Sequence, residues 1–481
     1  MKHHVAAGDP ATVQAARMLL EAGGNAFDAA VAAMFTAMVA EPTLTSAGGG
    51  GSLMACPAQG APMCFDFFVD MPSGQPEGLL DFEGVWADFG TTRQEFHIGR
   101  GAVAVPGNIA GLLRVHELLG RATRRDVLAP AILAARAGVP ISSQQAYIIR
   151  LLEPILTRTP AAAELFKTDG KLVSKGDTIR MPEFSDFLVA LVDAGSDLFY
   201  HELAEQVTEP FRENGLLRAL DLKAYIVRER DPLVTDFNNH TVLLNPPPAA
   251  SGTLIAFTLS LLDNVEVIDP ETLVRAFAFT DAFRADPDPD WAGAFRAGEW
   301  PANSKPEPLS RGATTHVSVL DRDGNAASTT TTNGEGCGHL ASGCGFMLNN
   351  MLGEEDLNSN GFHQHAPGTR LATMMAPSVA LSRDGRPALV TGSGGSNRIR
   401  SAVVQLIVNR LVHGQPMVQA TDAPRLHLEG GTLHAEPGAL VAGDFEVKQW
   451  PERNVFFGGA HSVAPGEAAG DARRNGSTEI F

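Results

Sequence analysis

A threonine-rich strand pair, entered from a proline-rich segment, constrains this chain more than any other feature. From Asp286 to Gly312 the sequence passes through five prolines with little hydrophobic periodicity, which predicts an exposed, mobile stretch. At Ala313-Thr314 the pattern switches to period two: Thr315, Val317 and Val319 alternate with His316, Ser318 and Leu320. Asp321-Arg322-Asp323-Gly324-Asn325 supplies turn residues, and Ala326 to Thr332 returns as the second strand. A turn centred on Asp323-Gly324 sets Thr314 opposite Thr332 or Asn333.

Upstream, Asp9-Pro10 has the form of an N-cap with proline in the first turn, and the helix it opens runs to Glu21 before Gly23-Gly24. Phe27 to Val39 is apolar nearly all round, which predicts a buried helix. Further helices are expected at Gly111 to Leu119, Ile148 to Leu156, Phe187 to Val192 and Leu273 to Ala282. Asn245-Pro246-Pro247-Pro248-Ala249-Ala250-Ser251-Gly252 reads as a rigid turn that continues no regular element. The run Gly48-Gly49-Gly50-Gly51 lacks the Lys-Ser/Thr ending of a phosphate loop, so close backbone approach, or bare N–H groups lining a site, is the better reading.

Composition narrows the function. Apolar residues make up 44% of the 481 and charged residues 19%, enough for a sizeable core. A net charge of -18 with no concentrated basic footprint argues against nucleic acid. No apolar run reaches membrane-spanning length, and the Met-Lys-His-His-Val start lacks a secretory core, so no membrane partner and a cytoplasmic location are expected. Cys56, Cys64, Cys337 and Cys344 fit neither a disulfide framework nor a usual zinc pattern, which predicts buried or partly buried free thiols. His316, Cys337, His339 and Cys344 have metal-binding side chains but irregular spacing; no metal and no cofactor are expected.

A threonine hydroxyl needs a base beside it, and an N-terminal threonine carries its own in an α-amine of pKa ~8. Thr314 in mid-chain has none until the Ala313–Thr314 bond is cut, a step its hydroxyl can perform on the Ala313 carbonyl. The hairpin places Thr332 where its hydroxyl can bond Thr314; from periodicity alone, a β-branched strand with polar faces is the favoured reading of Ser328 to Thr332. Thr391-Gly392-Ser393-Gly394-Gly395-Ser396 follows an apolar strand at Ala388 to Val390 and offers backbone N–H groups, and it is not a serine-hydrolase elbow.

In order along nearly the whole chain, Glu21-Ala22-Gly23-Gly24-Asn25-Ala26-Phe27-Asp28-Ala29-Ala30, the glycine run, Thr314-Thr315-His316-Val317-Ser318-Val319, Leu348-Asn349-Asn350, Pro367-Gly368-Thr369-Arg370 and Thr391-Gly392-Ser393-Gly394-Gly395 resemble the gamma-glutamyltransferase family of N-terminal-nucleophile hydrolases. The resemblance implies an α/β fold, a four-layer αββα sandwich, cut into a large subunit (1–313) and a small subunit (314–481) that together form one unit. It implies Thr314 as nucleophile, Thr332 as its support, and Gly394 with Gly395 as the oxyanion-hole pair, one place of offset giving Gly395 and Ser396. The substrates it implies are small γ-glutamyl amides, with water or an amino acid as acceptor.

The head-group pocket departs from the family pattern. Where the family carries an arginine for the substrate carboxylate, this chain has Phe68; the amine-binding aspartate aligns with Glu354, a serine pair with Thr373-Met374, and an expected asparagine falls at Gly334 with Asn333 one place early. An apolar ring cannot replace an arginine–carboxylate contact. Arg93, Arg100 and Arg398 are the candidates to supply the charge from elsewhere. Two alternatives follow: an acylase for a non-glutamyl amide, favoured by Phe68 and Met374, and an unprocessed scaffold that only binds.

Overall fold

The structure is a computed structural model that describes residues 2–88, 93–287, 291–301, 313–358, 360–441 and 443–481. Strand β1 (His4–Ala7) leads into helix α1 (Pro10–Glu21), where the Asp9 carboxylate accepts the Ala11 N–H at 2.8 Å. Asn25 caps helix α2 (Ala26–Ala40) by accepting the Phe27 and Asp28 N–H groups, and Asp28 returns the bond to the Asn25 N–H. Every residue of α2 is buried, as its unbroken apolar surface predicts.

The remaining elements that carry the site are β2 (Gly50–Cys56), β3 (Met63–Phe67), α3 (Asn108–Leu119), β4 (Arg228–Arg230), β5 (Leu233–Phe237), β6 (His240–Leu244), α4 (Ala250–Leu262), α5 (Pro270–Ala285), β7 (Thr315–Leu320), β8 (Ala326–Thr332), β9 (Ser378–Leu381), β10 (Pro387–Thr391), α6 (Arg398–Ile407), β11 (Ser462–Ala464), β12 (Glu467–Ala469) and β13 (Ser477–Ile480). Among the described residues, one antiparallel sheet has the order β4-β3-β2-β8-β7-β1-β13 and a second the order β5-β6-β9-β10-β11-β12. Both sheets mix strands from the two sides of Ala313–Thr314. The sheets face each other across an apolar cluster that includes Met54, Leu243, Leu320, Val379, Val390 and Val463. Helices α1 to α3 bury their apolar faces with the first sheet, and α4 to α6 with the second.

Strands β7 and β8 pair with Thr315 opposite Thr331 and Leu320 opposite Ala326, the register the Asp323-Gly324 turn predicts. The glycine run serves close packing of β2 on β8: a Cβ on Gly49 would lie 2.0 Å from the Thr332 carbonyl oxygen, and one on Gly51 2.8 Å from that of Thr330. Both faces of β8 are buried, so each hydroxyl there needs an internal partner. Ser328 donates to the Thr391 carbonyl at 2.7 Å, Thr330 meets His316 Nδ1 at 2.8 Å and Thr331 meets the Thr45 hydroxyl at 2.7 Å.

Three sequence expectations are corrected. The helix expected over Ile148 to Leu156 is two, Ser143–Leu151 and Glu153–Leu156; Pro154 has no N–H to continue the first. The rigid turn at Asn245 ends sooner than expected, because α4 starts at Ala250, two residues past the last proline. Within the segment 286–312, Trp291–Arg296 is a helix whose Phe295 is buried, its ring edge-on to Phe279 at 5.6 Å; 288–290 and 302–312 lie outside the described residues. All four cysteines are buried and free, as expected. No helix among the described residues is long and apolar enough to cross a membrane.

Candidate active site

Thr314 heads β7 at the centre of the first sheet and is buried. The Thr332 hydroxyl, opposite it at the end of β8, donates a short hydrogen bond to the Ala313 carbonyl oxygen and accepts the Gly334 N–H at 3.0 Å. It therefore touches the carbonyl of the bond that precedes Thr314. Arg474 Nη1 donates to the Thr314 carbonyl at 2.8 Å, and the Ala313 N–H donates to Glu335 Oε1 at 3.3 Å. The Ala313 carbonyl and the peptide groups on either side of the Ala313–Thr314 bond are thus held from three directions by side chains that are themselves buried.

A cleft on the Thr314 side of that bond is lined by Thr314, Thr332, Phe68, Glu354, Thr373 and Met374, six of the residues singled out in the sequence. Met351, Asp356, Leu357, Met375, Ser396 and Ile399 complete it. Of these, Asp356 escaped sequence reasoning although it accepts a short hydrogen bond from the hydroxyl of Ser396, the residue that one place of offset brings into the oxyanion-hole pair. Their contact spans forty residues and leaves no local pattern. Glu335 and Arg474 were missed for the same reason.

Gly394 and Gly395 lie between β10 and α6. A Cβ on Gly394 would fall 2.3 Å from the Thr314 carbonyl oxygen, so only glycine permits the approach. Gly395 has φ +121° and Ser396 φ +49°, which turns the chain sharply before α6 begins. The backbone at Gly394 therefore lies against Thr314, and Ser396 shares the cleft with it, just before the electropositive end of α6.

Three buried carboxyls near Thr314 hold their protons more firmly than usual. Burial raises Glu335 to about 8, with the Asp356 charge adding to it, and Glu354 is driven well up by burial and then by Glu335. Beneath Thr314, Glu41 accepts the Thr315 hydroxyl at 2.8 Å, and burial followed by the Asp9 charge raises it to about 8. A carboxyl whose folded pKa exceeds its unfolded one keeps its proton in the native state; the stability this confers is full below about pH 4.5 and is lost as pH rises through about 8. Glu41→Gln removes this titration. The wild-type protein is expected to lose stability relative to Glu41→Gln by about 1 kcal/mol per pH unit between pH 5 and 7, read as denaturation midpoints; parallel curves would rule out a neutral Glu41.

Several candidates lie elsewhere. Asn333 is not among the cleft residues: its Nδ2 donates to the Leu348 carbonyl at 3.4 Å. Arg100 bonds Asn214 at 3.3 Å, and the side chain of Arg93 lies outside the described residues. Arg370 is not among the cleft residues and is spent on Asp70 at 2.6 Å, Asp66 at 2.8 Å and the Ile226 carbonyl at 2.9 Å. His339 bonds Asp81 at 3.2 Å and His316 the Ser318 hydroxyl at 2.9 Å, and among the described residues no three metal-binding side chains converge.

The comparisons with known proteins agree with this geometry. The family described as Gamma-glutamyltranspeptidase matches residues 12–285 and 284–449. Acylase ACY 1 proenzyme of Pseudomonas sp. (strain V22) is 30% identical over 96% of this chain and 89% of its own. Glutathione hydrolase proenzyme of Escherichia coli (strain K12) is 28% identical over 88% of this chain and 80% of its own. Cephalosporin acylase from Bacillus halodurans superposes with a TM-score of 0.83 at 21% identity, over 99% of this chain and 95% of that one, and so shares the fold. With a family profile spanning most of its length and a relative aligned almost end to end, the chain belongs to the gamma-glutamyltranspeptidase family.

Proposed function

We propose that this chain is a self-processing amide hydrolase or acyl transferase in which Thr314, freed as an N-terminus, is the nucleophile. The observation that carries the reading is the Thr332 hydroxyl on the Ala313 carbonyl, immediately before a threonine that heads a buried central strand. In the first step Thr314 Oγ attacks the Ala313 carbonyl carbon. The Oγ proton passes to the departing Thr314 nitrogen as the C–N bond breaks, leaving an ester. Water hydrolyses the ester, giving a large subunit ending at Ala313 and a small one beginning at Thr314, the two sharing a four-layer αββα sandwich.

In turnover the free α-amine takes the Oγ proton as Oγ attacks the substrate amide, then delivers it to the leaving nitrogen. Backbone N–H groups at Gly394 and Gly395, with Ser396 adjoining, face the developing oxyanion, each typically worth about 3 kcal/mol. Water or an amine then removes the acyl group. No step calls for a metal or cofactor. The cleft residues Phe68, Glu354, Thr373 and Met374 receive the acyl group. Intact mass and N-terminal sequencing test the scheme: two chains are expected, the smaller beginning Thr-Thr-His-Val, and a protein that stays whole on prolonged incubation contradicts it.

The γ-glutamyl amides of the family are one acyl class. A non-glutamyl acyl amide is the second, favoured by the apolar wall of Phe68, Met351, Leu357, Met374, Met375 and Ile399 and by the full commitment of Arg370. If Phe68 is what excludes a glutamate carboxylate, Phe68→Arg in an enzyme that still self-cleaves raises kcat/KM for a γ-glutamyl anilide about tenfold. An unchanged value removes Phe68 as the cause.

A further inference from the structure

A second cavity adjoins the same peptide bond from the Ala313 side. Its walls include Phe96, Tyr147, Leu151 and Phe456, and its charged members are Glu335, Arg398 and Arg474. Both arginines are more than nine-tenths buried, at 2% and 6% exposure. Arg398 donates through Nε to the Phe456 carbonyl at 3.1 Å and stacks its guanidinium 4.9 Å from that ring, while its Nη1 has no partner. Arg474 spends Nη1 on the Thr314 carbonyl at 2.8 Å and leaves Nε unpartnered. Neither is ion-paired among the described residues: Glu429 is taken by Asn397 at 2.9 Å and lies 3.5 Å from His427, and Asp356 is taken by Ser396.

Burial and then the nearby Arg398 charge lower the basicity of Arg474, Asp471 and Glu41 offsetting part of this, and each arginine keeps an N–H without a partner, so the pair forms a site that an anion relieves. The chemistry decides which half of a substrate arrives there. A leaving nitrogen must take its proton from the Thr314 α-nitrogen, and in the uncut chain that nitrogen is bonded to Ala313. With the acyl half in the cleft of Phe68, the cavity on the Ala313 side is left for the amine half, whose nitrogen must come within reach of the Thr314 α-nitrogen.

On the basis of the Thr314 mechanism above, we propose that this cavity is the amine-side subsite. It selects leaving or accepting amines that carry an aromatic or apolar body and a carboxylate, with Arg398 and Arg474 receiving the carboxylate.

The test uses self-cleaved wild-type protein and two probes that differ only in charge, L-phenylalanine and L-phenylalaninamide, titrated by ligand-observed NMR. Phenylalanine is expected to bind at least tenfold more tightly, and that advantage should fall below threefold in Arg398→Met. The uncut Thr314→Ala chain, with Ala313 still in the cavity, should bind both at least tenfold more weakly than the cut protein. Equal affinity for the two probes overturns the proposal, as does an advantage that survives Arg398→Met or undiminished binding to the uncut chain. If Arg398→Met does not fold, the two wild-type affinities and the uncut chain still decide. Each of those failures leaves the Thr314 mechanism standing, whereas a wild-type chain that never self-cleaves overturns the mechanism itself.

Discussion

Thr314→Ala will remain a single chain of 50.8 kDa and show no amide hydrolysis above background. The substitution removes a hydroxyl and a methyl from a buried residue and keeps the strand, so the fold should persist while cleavage and turnover both fall by ~10³-fold or more. Thr314→Ser retains the oxygen and should still cut, more slowly, because a serine side chain is less tightly positioned than a β-branched one. Mass spectrometry over time separates the three proteins. A Thr314→Ala protein that is processed and active removes Thr314 from the mechanism and moves the search to another nucleophile.

The next largest effect is expected at Thr332. Thr332→Val keeps the shape, deletes the donor on the Ala313 carbonyl and leaves the Gly334 N–H without its acceptor. Loss of one donor to a developing oxyanion slows a step by ~10²–10³-fold, so the half-time of self-cleavage should lengthen by about that factor. Thr332→Ser should stay within tenfold of wild type, since it restores the donor. Cleavage of Thr332→Val at the wild-type rate would reduce the residue to a strand position whose hydroxyl merely satisfies a neighbour.

The parts of this molecule that could be read from its sequence are those built by local rules. Asp323-Gly324 determines a tight turn, a tight turn determines register, and register brings Thr332 to Thr314 without further information. Helix α2 was legible because a segment apolar on all sides has nowhere to go but the interior. The split at Leu152 and the early start of α4 were missed because proline's effects on a helix depend on which neighbouring carbonyls and packing surfaces are present. Family motifs led to Phe68, Glu354, Thr373 and Met374, and these do share one cleft. What could not be read is whatever depends on pairs distant in sequence. Arg474 meets Thr314 across 160 positions, and nothing around either residue announces the other. Asn333 shows the limit of alignment by position: one place of offset sends its side chain to the Leu348 carbonyl instead of the cleft.

Both large sheets contain strands from before and after Ala313–Thr314. Once that bond is broken, the same native contacts hold two separate polypeptides, neither of which contains all the strands of either large sheet. Refolding of the uncut precursor is a one-body process, whereas reassembly of the cut protein needs two partners to meet, and its yield must fall with dilution. Maturation thus converts a protein that can recover from denaturation into one whose working lifetime is set by how slowly it comes apart.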